Sequence, residues 1–243
     1  MKRVTIGLLA ACFLFASSVM AAEVRIGFLA TFTGPQGVIG NDMRDAFELG
    51  LDHLGRKMGG LDVKMFYADD TFKPGVGKQK VDKMVKADRV HFQTGHIWSH
   101  VLLASLKSVL GKGPFLISAN AGPSPVAGKL CHKDFFSTSW QNDQTPMAMG
   151  EVMNQLGIKT AYILGPNYAA GKNMLSGFKR TYRGKLLGEE LTPLSQTDFS
   201  AELAKIRSRN PQAVFIFYPG KWGPPFFKQY KQAGLSGKIP LYT

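Results

Sequence analysis

What most constrains this chain is a rhythm. Short β-rich runs alternate with helix-length amphipathic stretches from end to end. The β-rich runs fall at residues 24–30, 61–68, 90–94, 115–118, 160–164, 185–191, 213–218 and 239–242. Helical patterns fill most of the gaps, at 38–58, 75–87, 99–110, 144–156, 171–182, 199–209 and 221–233. Alternation of this kind predicts parallel sheets covered by helices on both faces. Local punctuation agrees. Thr197 or Asp198 suits the N-cap of the sixth helix, Pro211 ends it, and Gly157 and Gly234 stand where C-caps belong.

The rhythm breaks once, over residues 119–143, in a Gly/Pro/Ser/Asn-rich stretch that ends in FFSTSWQND. No helix pattern fits there. The break reads as the passage from a first α/β lobe, residues 23–141, to a second, residues 142–243.

Ahead of the first strand lies a different kind of segment. Lys2 and Arg3 precede an almost unbroken apolar run over residues 4–19, and small residues follow to Ala22. That order is a secretory signal, expected over residues 1–22 with cleavage after Ala21 or Ala22. The run is short for a membrane span and ends in small residues, which favours a cleaved leader over a retained anchor. Leu9-Ala10-Ala11-Cys12 also resembles a lipoprotein cleavage box, but a cut there would leave the apolar residues 13–19 behind it. The expected location is the periplasm.

Removing 22 of 243 residues leaves 221, enough for one large α/β domain or two smaller ones. Of two cysteines only Cys131 stays, so the fold rests on its core without an internal disulfide. Losing Lys2 and Arg3 lowers the net charge from +13 to +11. A basic chain favours anionic partners. Nucleic acid is not expected. The densest basic stretch, Lys73 to Arg89, sets Lys78, Lys80, Lys83 and Lys86 against an apolar stripe of Val81, Met84 and Val85, with no aromatics interleaved to stack bases.

Catalytic signatures are missing. GPQGVIG lacks the GxGxxG spacing, Gly77-Lys78-Gln79 lacks the other parts of a phosphate loop, and no GxSxG elbow occurs. His96 and His100 are four apart, a spacing that shares one helix face, but no carboxylate or cysteine joins them. Cys131 beside His132 is adjacency, not catalytic geometry. No enzyme activity, cofactor or metal is expected. Ligands of parallel α/β folds bind at the carboxyl ends of strands. Here those loops are TFTGPQG, ADDTFKPG, TGHIWS, SANAGPSP, GPNYAAG and YPGKWGPP, rich in Gly, Pro and aromatics.

VRIGFLATFTGPQGVIG, TGHIWS, ISANAGPSP, NYAAG, TDFSAELAKIRSRNPQAVFIFYPG and KQAGLSGKIPLYT run in an order that resembles one family. It is the periplasmic substrate-binding proteins of ABC importers, in the type I, leucine/isoleucine/valine-binding branch. The resemblance covers the whole chain. It implies two doubly wound lobes joined by a hinge of three crossings, with ligand closed between them and no catalysis. It also implies an ABC permease and its ATPase as partners, and a monomer. Members usually run longer, so the resemblance implies a chain incomplete at its C-terminus, with unpaired strand edges and a tendency to aggregate.

The resemblance also implies a site. Thr33 in the TFTG loop and Ile39 match the first-lobe wall. Ser99 matches a hydroxyl that holds the ligand carboxylate, although Ser99 also suits a plain helix N-cap. Ala121 and Gly122 match backbone groups around the ligand head. Tyr168 and Ala170 fall in the first loop of the second lobe, and Tyr218 at the end of a second-lobe strand. His96 and Trp98 stand where smaller residues are common, Ala170 where amino-acid binders often carry Tyr, and Ser137 where many carry Arg. The acid that usually holds an amino group would lie past Thr243. These departures point from a plain branched-chain amino acid towards an aromatic or other hydrophobic carboxylate, stacked on Trp98 or Tyr168. A ligand-sensing lobe of a receptor or regulator shares the fold and stands as the alternative to transport.

Overall fold

A computed structural model describes residues 22–243. The expected signal lies outside the described residues except for Ala22. Ten strands and seven α-helices follow in order among the described residues. The first part holds β1 (Glu23–Ala30), α1 (Gly37–His53), β2 (Lys57–Met58), β3 (Leu61–Asp69), α2 (Pro74–Lys86), β4 (Phe92–Gly95), α3 (Ser99–Val109), β5 (Phe115–Ser118) and β6 (Phe135–Ser137). The second holds α4 (Gln144–Gln155), β7 (Thr160–Pro166), α5 (Ala169–Thr181), β8 (Lys185–Thr192), α6 (Ser200–Arg209), β9 (Ala213–Ile216), α7 (Gly223–Gln232) and β10 (Leu241–Tyr242).

Two sheets result, in the orders β2-β3-β1-β4-β5-β6 and β10-β9-β7-β8. Every pairing is parallel except that of β2 with β3. The continuous buried runs in β7 and β9 are what a strand covered on both faces requires. The expected division at 141/142 falls between the last strand of one sheet and the first helix of the other.

Register decides where the loops emerge. Leu29 pairs with Gly95, Gly95 with Ser118, and Ser118 with Ser137. Four strands therefore end on one line, and the loops after β1, β4, β5 and β6 leave the sheet together.

Some expected boundaries are corrected. The helix expected over 38–58 ends at His53, because Gly55 takes a left-handed φ of 59° and the Arg56 N–H bonds back to the Leu51 carbonyl at 2.8 Å. This is a glycine-terminated helix end. Residues 57–58 then turn through Gly59 and Gly60, both at positive φ, to pair with β3. The last helix starts at Gly223, since residues 220–222 form a separate 3-10 turn. Neither Thr197 nor Asp198 is the N-cap of α6. That position is Phe199, and Asp198 Oδ1 accepts instead from the Ser200 N–H at 2.9 Å. Gly157 and Gly234 do follow their helices at positive φ.

One apolar cluster carries buried residues of both sheets, from Phe28 and Leu102 to Phe199 and Trp222. A second lies under β7 and β9, where Phe178 stacks on Phe215 at 4.9 Å.

Candidate functional site

A cavity of about 170 Å³ opens where the strand ends of the two sheets face one another. It is smaller than the roughly 300–1,000 Å³ clefts that hold drug-sized ligands. That size suits one compact solute. Its wall comes from loops after six strands. Ile39 stands in the first turn of α1, after β1. Ile97, Trp98 and Ser99 follow β4, Asn120 and Ala121 follow β5, and Trp140 and Asn142 follow β6. From the other sheet come Tyr168, Ala170 and Met174 after β7, and Phe217 and Pro219 after β9. A larger hollow of about 410 Å³, beside Ser200, Arg207 and Gln229, lies between α6 and α7 and shares no residue with this one.

Six of the ten expected residues thus share one wall: Ile39, Trp98, Ser99, Ala121, Tyr168 and Ala170. The other four lie elsewhere. Thr33 is exposed and donates its hydroxyl to Asp69 Oδ2 at 2.5 Å. Gly122 packs against the β6 exit, where an added Cβ would lie 2.2 Å from the Trp140 carbonyl oxygen. Tyr218 is buried between Phe199 and Phe226 in the second sheet's core. Successive side chains point to opposite sides of an extended chain, so its neighbour Phe217 faces the cavity instead.

His96 is fully buried, at a left-handed φ of 58°. Its N–H bonds to the Leu29 carbonyl and its own carbonyl accepts from the Ala121 N–H. The backbone thus ties β1 to the loops after β4 and β5, while neither ring nitrogen has a partner among the described residues. Burial pushes the ring pKa down to about 4, so it is neutral at pH 7. The shared helix face expected for His96 and His100 is absent, because α3 starts only at Ser99. No cluster of three metal-ligating side chains occurs among the described residues.

Trp98 is held on all sides. Its Nε1–H donates to Thr31 Oγ1 at 2.8 Å, and that hydroxyl donates to Asp70 Oδ1. Burial raises the Asp70 carboxyl pKa, partly offset by the Thr31 hydroxyl. Edge contacts join Trp98 to Phe72 at 4.8 Å, Tyr168 at 6.1 Å and Trp222 at 6.3 Å. Pairs of this geometry contribute about 0.5–1.5 kcal/mol each beyond burial. Trp98 and Phe72 belong to the first sheet's loops, Tyr168 and Trp222 to the second's, so the aromatic group bridges the two. Burial also raises the Tyr168 phenol pKa.

The polar side of the wall is equally ordered. Ser99 is the first residue of α3; the Val101 N–H turns back to the Trp98 carbonyl at 3.0 Å, and among the described residues the Ser99 and His100 N–H groups have no backbone acceptor. Asn142 Nδ2 donates to Ser99 Oγ at 3.0 Å and to Asn173 Oδ1 at 3.3 Å. Asn120 Nδ2 donates to the Ile97 carbonyl at 3.0 Å. A further bond across the sheets joins Gln36 Oε1 to the Lys221 N–H at 3.2 Å. The cavity wall thus combines polar groups with aromatic and aliphatic side chains.

Sequence reasoning missed several wall residues. Ile97, Asn120 and Phe217 each sit next to an expected residue. Met174 lies four residues after Ala170 on α5, a spacing that signals a shared helix face. Trp140 and Asn142 lie in the irregular passage, where no periodicity points anywhere.

Several known proteins resemble this chain over most of its length. The Leu/Ile/Val-binding protein homolog 6 of Brucella abortus is 26% identical over 252 residues, covering 100% of this chain and 63% of that protein. An ABC-transporter solute-binding protein from R. palustris, solved in complex with benzoate, is 28% identical with a TM-score of 0.86, over 90% of this chain and 61% of that one. An ABC transporter substrate-binding protein from Sphaerobacter thermophilus is 27% identical with a TM-score of 0.82, over 90% and 62%. The chain thus spans just under two thirds of the length of these relatives. The fold is that of the type I periplasmic binding proteins. The family model for periplasmic binding protein matches residues 23–243, and the chain belongs to that family.

Proposed function

We propose that the protein captures a small aromatic or hydrophobic carboxylate in the periplasm and delivers it to an ABC permease and its ATPase. One observation carries this reading. The cavity between the strand ends brings the Ser99 hydroxyl and the start of α3 into one wall with Trp98, Tyr168 and Phe217. A carboxylate suits unpaired helix N–H groups and a hydroxyl donor. A planar ring suits the aromatic wall, and Ala170 keeps that wall open where a larger side chain would fill it.

The benzoate-bound R. palustris relative supports an aromatic ligand, and the Brucella homologue keeps an amino acid as its competitor. The leader expected over residues 1–22 supports export to the periplasm, with a mature N-terminus at Ala22 or Glu23. The expected ligand contacts are Ser99, Trp98, Tyr168, Ala121, Ile39 and Ala170. Titration calorimetry with benzoate, a branched-chain 2-oxo acid and leucine tests the ligand class. The expected order is benzoate tightest and leucine weakest. Leucine binding tightest refutes it.

A further inference from the structure

Asn142 carries a polarity from the backbone to the cavity. The Ser124 backbone N–H is a donor, and the atom it meets at 3.2 Å is the Asn173 side-chain oxygen. That oxygen also lies 3.3 Å from the Asn142 amide. Two amide oxygens would repel at this distance, so Asn142 must present its nitrogen. The same nitrogen reaches Ser99 Oγ at 3.0 Å. Its two hydrogens are thereby assigned, one to Asn173 and one to Ser99. The serine oxygen accepts. Among the described residues no acceptor takes the Ser99 hydroxyl hydrogen, and Ser99 lines the cavity.

We infer that Asn142 is a positioning residue that fixes Ser99 as a hydrogen-bond donor into the cavity and so selects an acceptor, the ligand carboxylate, at that point. The inference rests on the ligand reading given above. A free serine hydroxyl rotates and serves donors and acceptors alike. Here the chain Ser124, Asn173, Asn142, Ser99 leaves it one direction. Asn142 and Ser99 are both nearly inaccessible, 5% and 1% exposed, so no bulk water competes for either bond. The chain also crosses between the sheets. Ser124 and Ser99 belong to the first sheet's loops, and Asn173 lies on α5. The donor is therefore set only when the two sheets face one another as they do here.

The test is a double-mutant cycle with benzoate, read by calorimetry. Asn142→Leu keeps size and removes the donor. It should weaken benzoate about tenfold, the scale of a lost bond to a charged group. In a Ser99→Ala background the same substitution should change affinity less than about twofold, because its effect passes through Ser99. An equal loss in both backgrounds, or unchanged affinity with the fold intact, overturns the inference. Should Asn142→Leu fail to fold, Asn173→Ala serves. It unpins the Asn142 amide and should cost about threefold in the wild type and nothing beside Ser99→Ala. A loss that persists beside Ser99→Ala overturns the inference. Wild-type protein that binds leucine and not benzoate refutes the ligand class, and the cycle is then run on the leucine carboxylate. Wild-type protein that binds neither refutes both.

Discussion

Replacing His96 with Asn tests the account of the buried ring beneath the site. The substitution suits the backbone, since Asn tolerates the left-handed region that His96 occupies at φ 58°. The imidazole is fully buried and both nitrogens lack partners, so burial lowers its pKa from 6.5 to about 4. The unfolded chain then takes up a proton near pH 6.5, while the folded one resists until about pH 4. Between those values the unfolded state binds more protons, and stability rises with pH. The contribution is whole above about pH 6.5 and is lost as pH falls through about 4. In full it is about 3 kcal/mol, of which about 2 kcal/mol falls between about pH 7.5 and pH 5. Asp70 works the other way, because burial raises its pKa and its contribution fades as pH rises. That effect is common to both proteins and cancels in the comparison. Urea unfolding of wild type and His96→Asn at the two pH values is the assay. The wild type should lose about 2 kcal/mol more than the variant on acidification. Parallel losses would refute the argument that this ring is held neutral by burial.

Phe178→Ala should cost about 3–5 kcal/mol in urea unfolding, because it empties the stack on Phe215 under the second sheet. A loss below about 1 kcal/mol would show that this core carries little. Gln36→Ala removes the bond to the Lys221 N–H across the sheets. It should weaken ligand about three- to tenfold by calorimetry and shift solution scattering of the free protein towards a more open form. Unchanged affinity and scattering would defeat that role.

Much of the framework was legible because local signals and tertiary demands coincided. β7 and β9 are short apolar runs, and both are buried on two faces. β6 escaped notice for a physical reason. It is three residues long at a sheet edge, and Phe136 and Ser137 are exposed, so neither alternation nor a continuous apolar run marks it. Apolar spacing alone carries the first helix past Gly55, whose left-handed backbone ends it. In the site, Ser99, Trp98 and Tyr168 are legible as candidates because each stands at the start of a helix that follows a strand. Asn142 was not, since its partner Ser99 lies 43 residues away and only folding joins them. His96 is expected in the site, but its left-handed backbone helps turn the ring into the interior.

The alignment of Leu29, Gly95, Ser118 and Ser137 on one line separates the frame from its furnishings. Each loop leaves the sheet from a fixed point, and its first residues are anchored to a neighbouring strand. Beyond those residues the loops are tied to one another, the Ala121 N–H to the His96 carbonyl, the Asn142 N–H to the Gly122 carbonyl and the Asn142 side chain to Ser99. A change in one loop is therefore felt in the next. Ligand preference in such a molecule shifts by coupled changes across the loops while the sheet stays as it is.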